Sequence, residues 1–237
     1  INVVKEFDFE KLGSVTETIV ENLNIVIDKN YYPTKEASYS NLKHRPIGIG
    51  VQGLADVFML LNIPFTSYEA RKLNKDIFET IYYYALKKSC ELSKQNGSYS
   101  TFKDSPASQG ILQFDMWNKE PEYFPLEKWE HIKQEIQTHG LRNSTLISLM
   151  PTASTAQIMG NNESFEPYTS NIYTRKVLSG EFIIINKHLV KYLRENNLYT
   201  KDNIDLLILQ KGSVQELNLP IHIKDIFKTV WEISQKT

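Results

Sequence analysis

The stretch from about Tyr68 to Gln95 constrains this chain most, because it reads as one long helix that is apolar on two sides. Leu73, Ile77, Ile81, Tyr84 and Leu92 recur at helical spacing, while Tyr83, Leu86 and Cys90 lie on roughly the opposite face. A helix with two apolar faces has to be covered twice, so it is predicted to lie deep between layers. Gly97 supplies its C-terminal stop. The chain has the material for such a core: 237 residues, 41% hydrophobic and 23% charged.

Around this helix the pattern predicts others. Phe9 to Ile27 has Leu12, Val15, Ile19, Leu23 and Val26 on one face, and Tyr31-Tyr32-Pro33 ends it. A polar stretch runs to Arg45, followed by the glycine-punctuated apolar run Pro46 to Gly53 and a short helix from Leu54 to Leu61. Asn96 to Asp115 reads as loop, Pro125 to Gln137 as an amphipathic helix, and Thr145 to Met150 as a buried strand broken by Pro151. Beyond a polar loop from Gly160 to Asn171, helices are expected at Asn186 to Asn196, Ile204 to Gln210 and Lys224 to Thr237.

Composition excludes several classes. Net charge is −1 and the sequence pI about 6.6, so no bulk positive field attracts DNA or an anionic membrane surface. No apolar run reaches the roughly 20 residues that span a bilayer. The start Ile1-Asn2-Val3-Val4-Lys5-Glu6 reads as neither signal nor transit peptide, and without an initiating Met the chain is expected to begin partway through a longer protein. Cys90 is the single cysteine, which leaves no disulfide and no thiolate zinc site and suits a reducing, cytoplasmic location. The five histidines are scattered, so no metal site is expected.

Chemistry concentrates in Leu146-Ile147-Ser148-Leu149-Met150-Pro151-Thr152-Ala153-Ser154-Thr155-Ala156-Gln157. A strand, a turn of small and hydroxyl residues and a helix start place free N–H groups and the positive helix end at one point, which suits an anion. Thr152, Ser154 and Thr155 add hydroxyls, and Ala153 and Ala156 let a phosphate approach the backbone. The same residues also read as a plain helix start, because Ser154 with Gln157 makes a capping box that needs no ligand.

Arg45-Pro46-Ile47-Gly48-Ile49-Gly50-Val51-Gln52-Gly53-Leu54-Ala55-Asp56 resembles a segment of the large subunits of eukaryotic-type class I ribonucleotide reductases. So do Met150 to Gln157, Gly160-Asn161-Asn162-Glu163-Ser164, Glu166 to Tyr173, and Thr229 to Thr237. The resemblance implies an α/β fold: part of a ten-stranded barrel of two five-stranded parallel half-barrels. It treats 1–237 as a single domain, the C-terminal part of that barrel, with the N-terminal cone and first half-barrel absent. Full-length members reduce ribonucleoside diphosphates by thiyl-radical chemistry. They work as large-subunit homodimers with ATP or dNTP effectors, a small subunit carrying a di-iron centre and tyrosyl radical, and thioredoxin or glutaredoxin as reductant.

By carry-over, Thr152, Ala153, Ser154 and Thr155 match the loop that holds the substrate's diphosphate. The resemblance also places a docking site for the small subunit's C-terminal tail near Lys228, Trp231 and Lys236. There Ile223, Ile226, Phe227, Val230, Trp231 and Ile233 are expected to form one apolar helix face. No catalytic residue is expected in this chain: the Asn-x-Cys-x-Glu motif and the active-site cysteine pair are absent from it. Cys90 reads as a buried structural thiol, and Tyr82-Tyr83-Tyr84 and Tyr31-Tyr32 as packing. From the residues alone, a phosphosugar-binding α/β barrel enzyme of another type and a non-enzymatic α-rich scaffold stay open beside the reductase. Strand order separates the first two, and nucleoside diphosphate binding separates both from the third.

Overall fold

A computed structural model describes residues 6–236. Its helices are α1 (Phe9–Lys29), α2 (Lys35–His44), α3 (Leu54–Leu60), α4 (Tyr68–Asn96), α5 (Gln113–Met116), α6 (Leu126–His139), α7 (Ala153–Met159), α8 (Lys187–Glu195), α9 (Lys201–Leu209) and α10 (Ile221–Ile226). Between α7 and α8 lies an antiparallel hairpin of β1 (Ile172–Val177) and β2 (Gly180–Ile185). The chain divides into two compact units, one holding Phe7–Gly50 and Leu73–Leu149, the other Val51–Lys72 and the residues from Met150 onward.

In the first of these units α4 is covered on two sides, as its pattern requires. Ile77, Ile81, Leu86, Cys90 and Leu92 are buried. Toward α1, Lys87 and Lys88 reach Glu17 and Glu21 at 2.8 and 3.0 Å; toward α6, the Tyr82 and Tyr83 rings meet Trp129. Glu79 binds a loop to this helix through backbone amides. Its carboxylate accepts the N–H groups of Glu122, Tyr123 and Phe124 at 2.8–2.9 Å, and the Trp129 indole N–H at 3.3 Å.

The face of α1 differs from expectation by one residue. Gly13, Thr16, Val20, Asn24 and Ile27 are buried, while Val15, Ile19 and Val26 are exposed. The inward face was disguised because it is small and polar. A Cβ on Gly13 would lie 2.5 Å from the Tyr84 ring, and Thr16 turns its hydroxyl back to the Leu12 carbonyl. Asn24 joins a buried knot in which it exchanges amide bonds with Asn143 at 3.0 and 3.1 Å. Asn143 also accepts from Ser89 and donates to the Arg45 carbonyl. Arg45, left-handed at φ 47°, donates to Asn24 and, at 2.6 Å, to Asp28, holding the Asp28 carboxyl below its usual range.

Two further expectations are corrected here. The polar stretch before Arg45 contains α2, capped by Thr34 accepting from Ala37 N–H; it buries no residue, so it carried no apolar period. Thr145 to Met150 does not form a buried strand. Its parallel pairing is the single bridge Ile49–Ile147, and only Leu146 is buried. Among the described residues the segment has one neighbour in place of the two that a buried parallel strand needs.

The second unit centres on Met59, Ile172, Leu189, Leu207, Leu217 and Phe227. Asn171, fully buried, ties its layers by donating to the Gly212 and Phe227 carbonyls and accepting from Asn186. The helix expected from Lys224 to Thr237 is not formed; α10 ends at Ile226, and Val230–Glu232 is a 3-10 turn. Side-chain and tertiary bonds draw the backbone away. Glu232 accepts from the N–H and hydroxyl of Thr229 and from Ser213, all at 2.7 Å, and Val230 N–H donates to the Tyr168 carbonyl. Ile223, Ile226 and Phe227, assigned to an outward apolar face, are buried in this unit's own core, whereas Trp231 is 84% exposed. Thr237 lies outside the described residues.

Candidate functional site

Thr152 opens α7 with φ −105° and ψ 29°, and Ala156 N–H returns to its carbonyl at 2.7 Å to close the first turn. The N–H groups of Ala153, Ser154 and Thr155 precede that bond and stay outside the helix's own ladder. The Thr152 side chain makes no cap bond to them. The capping box of Ser154 with Gln157 does not form, because the helix starts at Ala153 and Ser154 already lies within it. Ala153, Ser154 and Thr155 are exposed, while Thr152 is buried.

Thr152 is held from behind. Its hydroxyl oxygen accepts Ser164 N–H at 2.7 Å, and the Thr155 hydroxyl donates to its carbonyl at 3.0 Å. Ser164 belongs to the loop Gly160–Ser164, which folds back along α7 through Asn161 N–H to the Ala156 carbonyl. Asn162 is gripped at both backbone ends: its carbonyl accepts Gly53 N–H at 2.9 Å, and its N–H donates to Asp56 Oδ2 at 2.7 Å. Gly53 sits left-handed at φ 77°, with Asn161 3.2 Å from where a Cβ would be, so glycine is the residue that fits.

Asp56, on α3, is 5% exposed and fully engaged. Oδ1 receives the Tyr168 hydroxyl at 2.9 Å and faces His188 Nε2 at 2.8 Å, with Lys187 Nζ 3.7 Å away. Burial pushes the Asp56 carboxyl up, but the bonds from His188, Asn162 N–H and Tyr168 outweigh it and hold it below the usual range. Burial and the Asp56 charge drive the Tyr168 phenol far up, so it stays a donor. Lys187 also donates to the Gly160 carbonyl at the end of α7.

The structure thus gathers Thr152, Ala153, Ser154 and Thr155 at one turn. Lys228, Trp231 and Lys236 lie apart from it in sequence; Lys228 is paired with Asp225 at 2.7 Å, and Lys236 is exposed. Glu163 and Glu166 contribute backbone groups, Glu166 N–H to the Glu163 carbonyl and Asn162 Nδ2 to the Glu166 carbonyl. Sequence reasoning missed Asp56, His188 and Tyr168 as one cluster. Asp56 and Tyr168 stood inside recognised runs; His188, with no neighbour at helical spacing, gave no local signal. Cys90 is buried, and burial pushes its thiol up to about 11. Among the described residues no three His, Cys, Asp or Glu side chains converge as a metal site, and no helix is long and apolar enough to cross a membrane.

A family model described as ribonucleotide reductase, barrel domain, matches residues 1–237. A ribonucleoside-diphosphate reductase large subunit of Variola virus is 59% identical over 232 residues, covering 98% of this chain and 30% of its own length. The large subunit of Caenorhabditis elegans is 58% identical over 233 residues, 98% of this chain and 29% of its own. Among solved structures, the class Id ribonucleotide reductase alpha subunit of Actinobacillus ureae matches with TM-score 0.70 and 28% identity, over 93% of this chain and 35% of that one. The chain therefore spans about 30% of the length of these large subunits. With a match from residue 1 to residue 237, it belongs to the ribonucleotide reductase family, in the barrel domain.

Proposed function

We propose that this chain is the part of a ribonucleoside-diphosphate reductase large subunit that holds the substrate's diphosphate. The observation that carries this reading is the uncapped turn Thr152 to Thr155 in a chain of this family. Three N–H groups with no helical partner, the positive end of α7 and the hydroxyl of Ser154 supply donors that a diphosphate needs without a lysine, while the Thr155 hydroxyl braces the turn by donating to the Thr152 carbonyl. In the whole enzyme this chain is part of a ten-stranded barrel of two parallel half-barrels, in the cytoplasm. Thiols outside this chain carry the radical reduction, ATP or dNTP effectors regulate it, and thioredoxin or glutaredoxin renews the electrons. The small subunit supplies the radical from its di-iron tyrosyl centre.

The test is Ala153→Asp in the full-length large subunit, assayed with its small subunit. A carboxylate about 4 Å from a phosphate costs on the order of 4 kcal/mol at an effective dielectric near 20. KM for a ribonucleoside diphosphate is expected to rise about tenfold or more, with effector binding unchanged. An unaltered KM rejects the turn as the diphosphate site.

The same reading assigns Lys228, Trp231 and Lys236 to docking of the small subunit's acidic, partly apolar tail. It is supported by the exposure of Trp231 and Lys236. Titration of a tail peptide into the full-length subunit, with and without Lys228→Glu and Lys236→Glu, decides it: equal affinity at low and moderate salt removes these residues from the interface.

A further inference from the structure

The geometry points to Asp56, His188 and Tyr168 as positioning residues for the diphosphate turn, acting on Thr152 through the backbone of residues 162–164. This inference rests on the reading of Thr152–Thr155 given above. The two carboxylate oxygens of Asp56 divide the task. Oδ1 is fixed by His188 Nε2 at 2.8 Å and the Tyr168 hydroxyl at 2.9 Å, and Oδ2 is left to take Asn162 N–H at 2.7 Å. Two residues on, Ser164 N–H reaches the Thr152 hydroxyl oxygen at 2.7 Å. The residue that starts α7 is thereby set by a buried ion that never touches it.

Three features argue that the relay orients the turn and does more than fill space. The hydrogen bonds on either side of the 162–164 backbone are directional, at 2.7–2.9 Å, and Asp56, Ser164 and Thr152 are buried. The loop is held in a demanding conformation, because Ser164, a non-glycine residue, sits left-handed at φ 44°. Thr152 gives its hydroxyl oxygen to this relay, so the N–H groups of the first turn of α7 remain uncapped. If Thr152 turned back to cap its own helix, it would compete with an anion for those donors. Asp56 therefore keeps the turn open for a ligand.

The experiment uses the full-length large subunit with its small subunit, measuring KM and kcat for a ribonucleoside diphosphate. His188→Ala removes a donor to Asp56; it is expected to raise KM about tenfold and leave kcat within about twofold. His188→Gln places an amide N–H near the Nε2 position and is expected to return KM to within about threefold of the parent. Tyr168→Phe, which removes one hydroxyl, gives a smaller rise of the same kind and serves if His188→Ala fails to fold. Ala153→Asp is run in parallel. A tenfold KM effect of Ala153→Asp with unchanged KM in His188→Ala and Tyr168→Phe overturns the relay and keeps the site. No effect of Ala153→Asp overturns both. A fall in kcat with KM unchanged, or no recovery in His188→Gln, also overturns the relay.

Discussion

Gly13 lies against Tyr84 so closely that a Cβ on the glycine would stand 2.5 Å from the tyrosine Cε2. Tyr84 is itself packed against the Tyr83 and Phe124 rings, so it has little room to withdraw. Gly13→Ala sets about 1–3 kcal/mol of overpacking against about 1 kcal/mol gained from helix propensity. A net loss of about 1 kcal/mol is expected in urea unfolding. In a Tyr84→Ala background the same change becomes stabilising, since only the propensity gain is left. An equal effect in both backgrounds would reject the contact.

Asp56 gives a pH dependence of defined sign. Its folded carboxyl lies below the ordinary value of 3.8, so its contribution is fully present above that value and is lost as pH falls from 3.8 through the folded one. Asp56→Asn is expected to lower stability near neutral pH and to flatten the acid limb of stability against pH. An acid limb unchanged in the variant would show that other carboxylates set it.

Cys90 is expected to resist alkylation in the folded protein. Its thiol is buried and pushed up to about 11, so the thiolate fraction at pH 8 is small. Mass spectrometry after iodoacetamide should show no adduct under native conditions and one in denaturant. Rapid native labelling would contradict a buried position.

The chain by itself is expected to produce no deoxynucleotide at any concentration of small subunit or effector. Cys90 alone cannot cycle as an intramolecular dithiol, and no second cysteine is present. Product formation by the purified chain would overturn the proposed division of labour.

Periodicity located α1, α3, α4, α6, α8 and α9, because each has a regular apolar or amphipathic spacing. It placed the buried face of α1 one residue off, since the eye follows Val15, Ile19 and Val26 while the core takes Gly13, Thr16 and Asn24. Hydropathy ranks a glycine contact and a polar knot as surface. The C-terminal helix failed for a different reason. The Tyr168 carbonyl and Ser213 that hold Val230 and Glu232 lie far along the chain. The Thr229–Glu232 capping box, three residues apart and so legible, starts a new turn inside the stretch read as one helix. At the site, the turn was legible because its chemistry is contiguous. The link from Asp56 to His188 spans 132 residues and leaves no mark on local spacing.

Glu79 has a consequence for variation. Through three of its four bonds it recognises the main chain of residues 122–124 and not their side chains. Elsewhere the side chains have their own tasks: Glu122 pairs with Lys75, and Phe124 packs on the Tyr83 and Tyr84 rings. Beside these, the Glu79 bonds set one requirement at all three positions, an amide hydrogen. Proline is the residue type that cannot supply one, and here it stands at Pro121 and Pro125, on either side of the three amides and at none of them. A single helix carboxylate thus adds, to whatever the packing of these side chains demands, a rule written for the backbone alone: one letter of the amino-acid alphabet is forbidden at three consecutive positions.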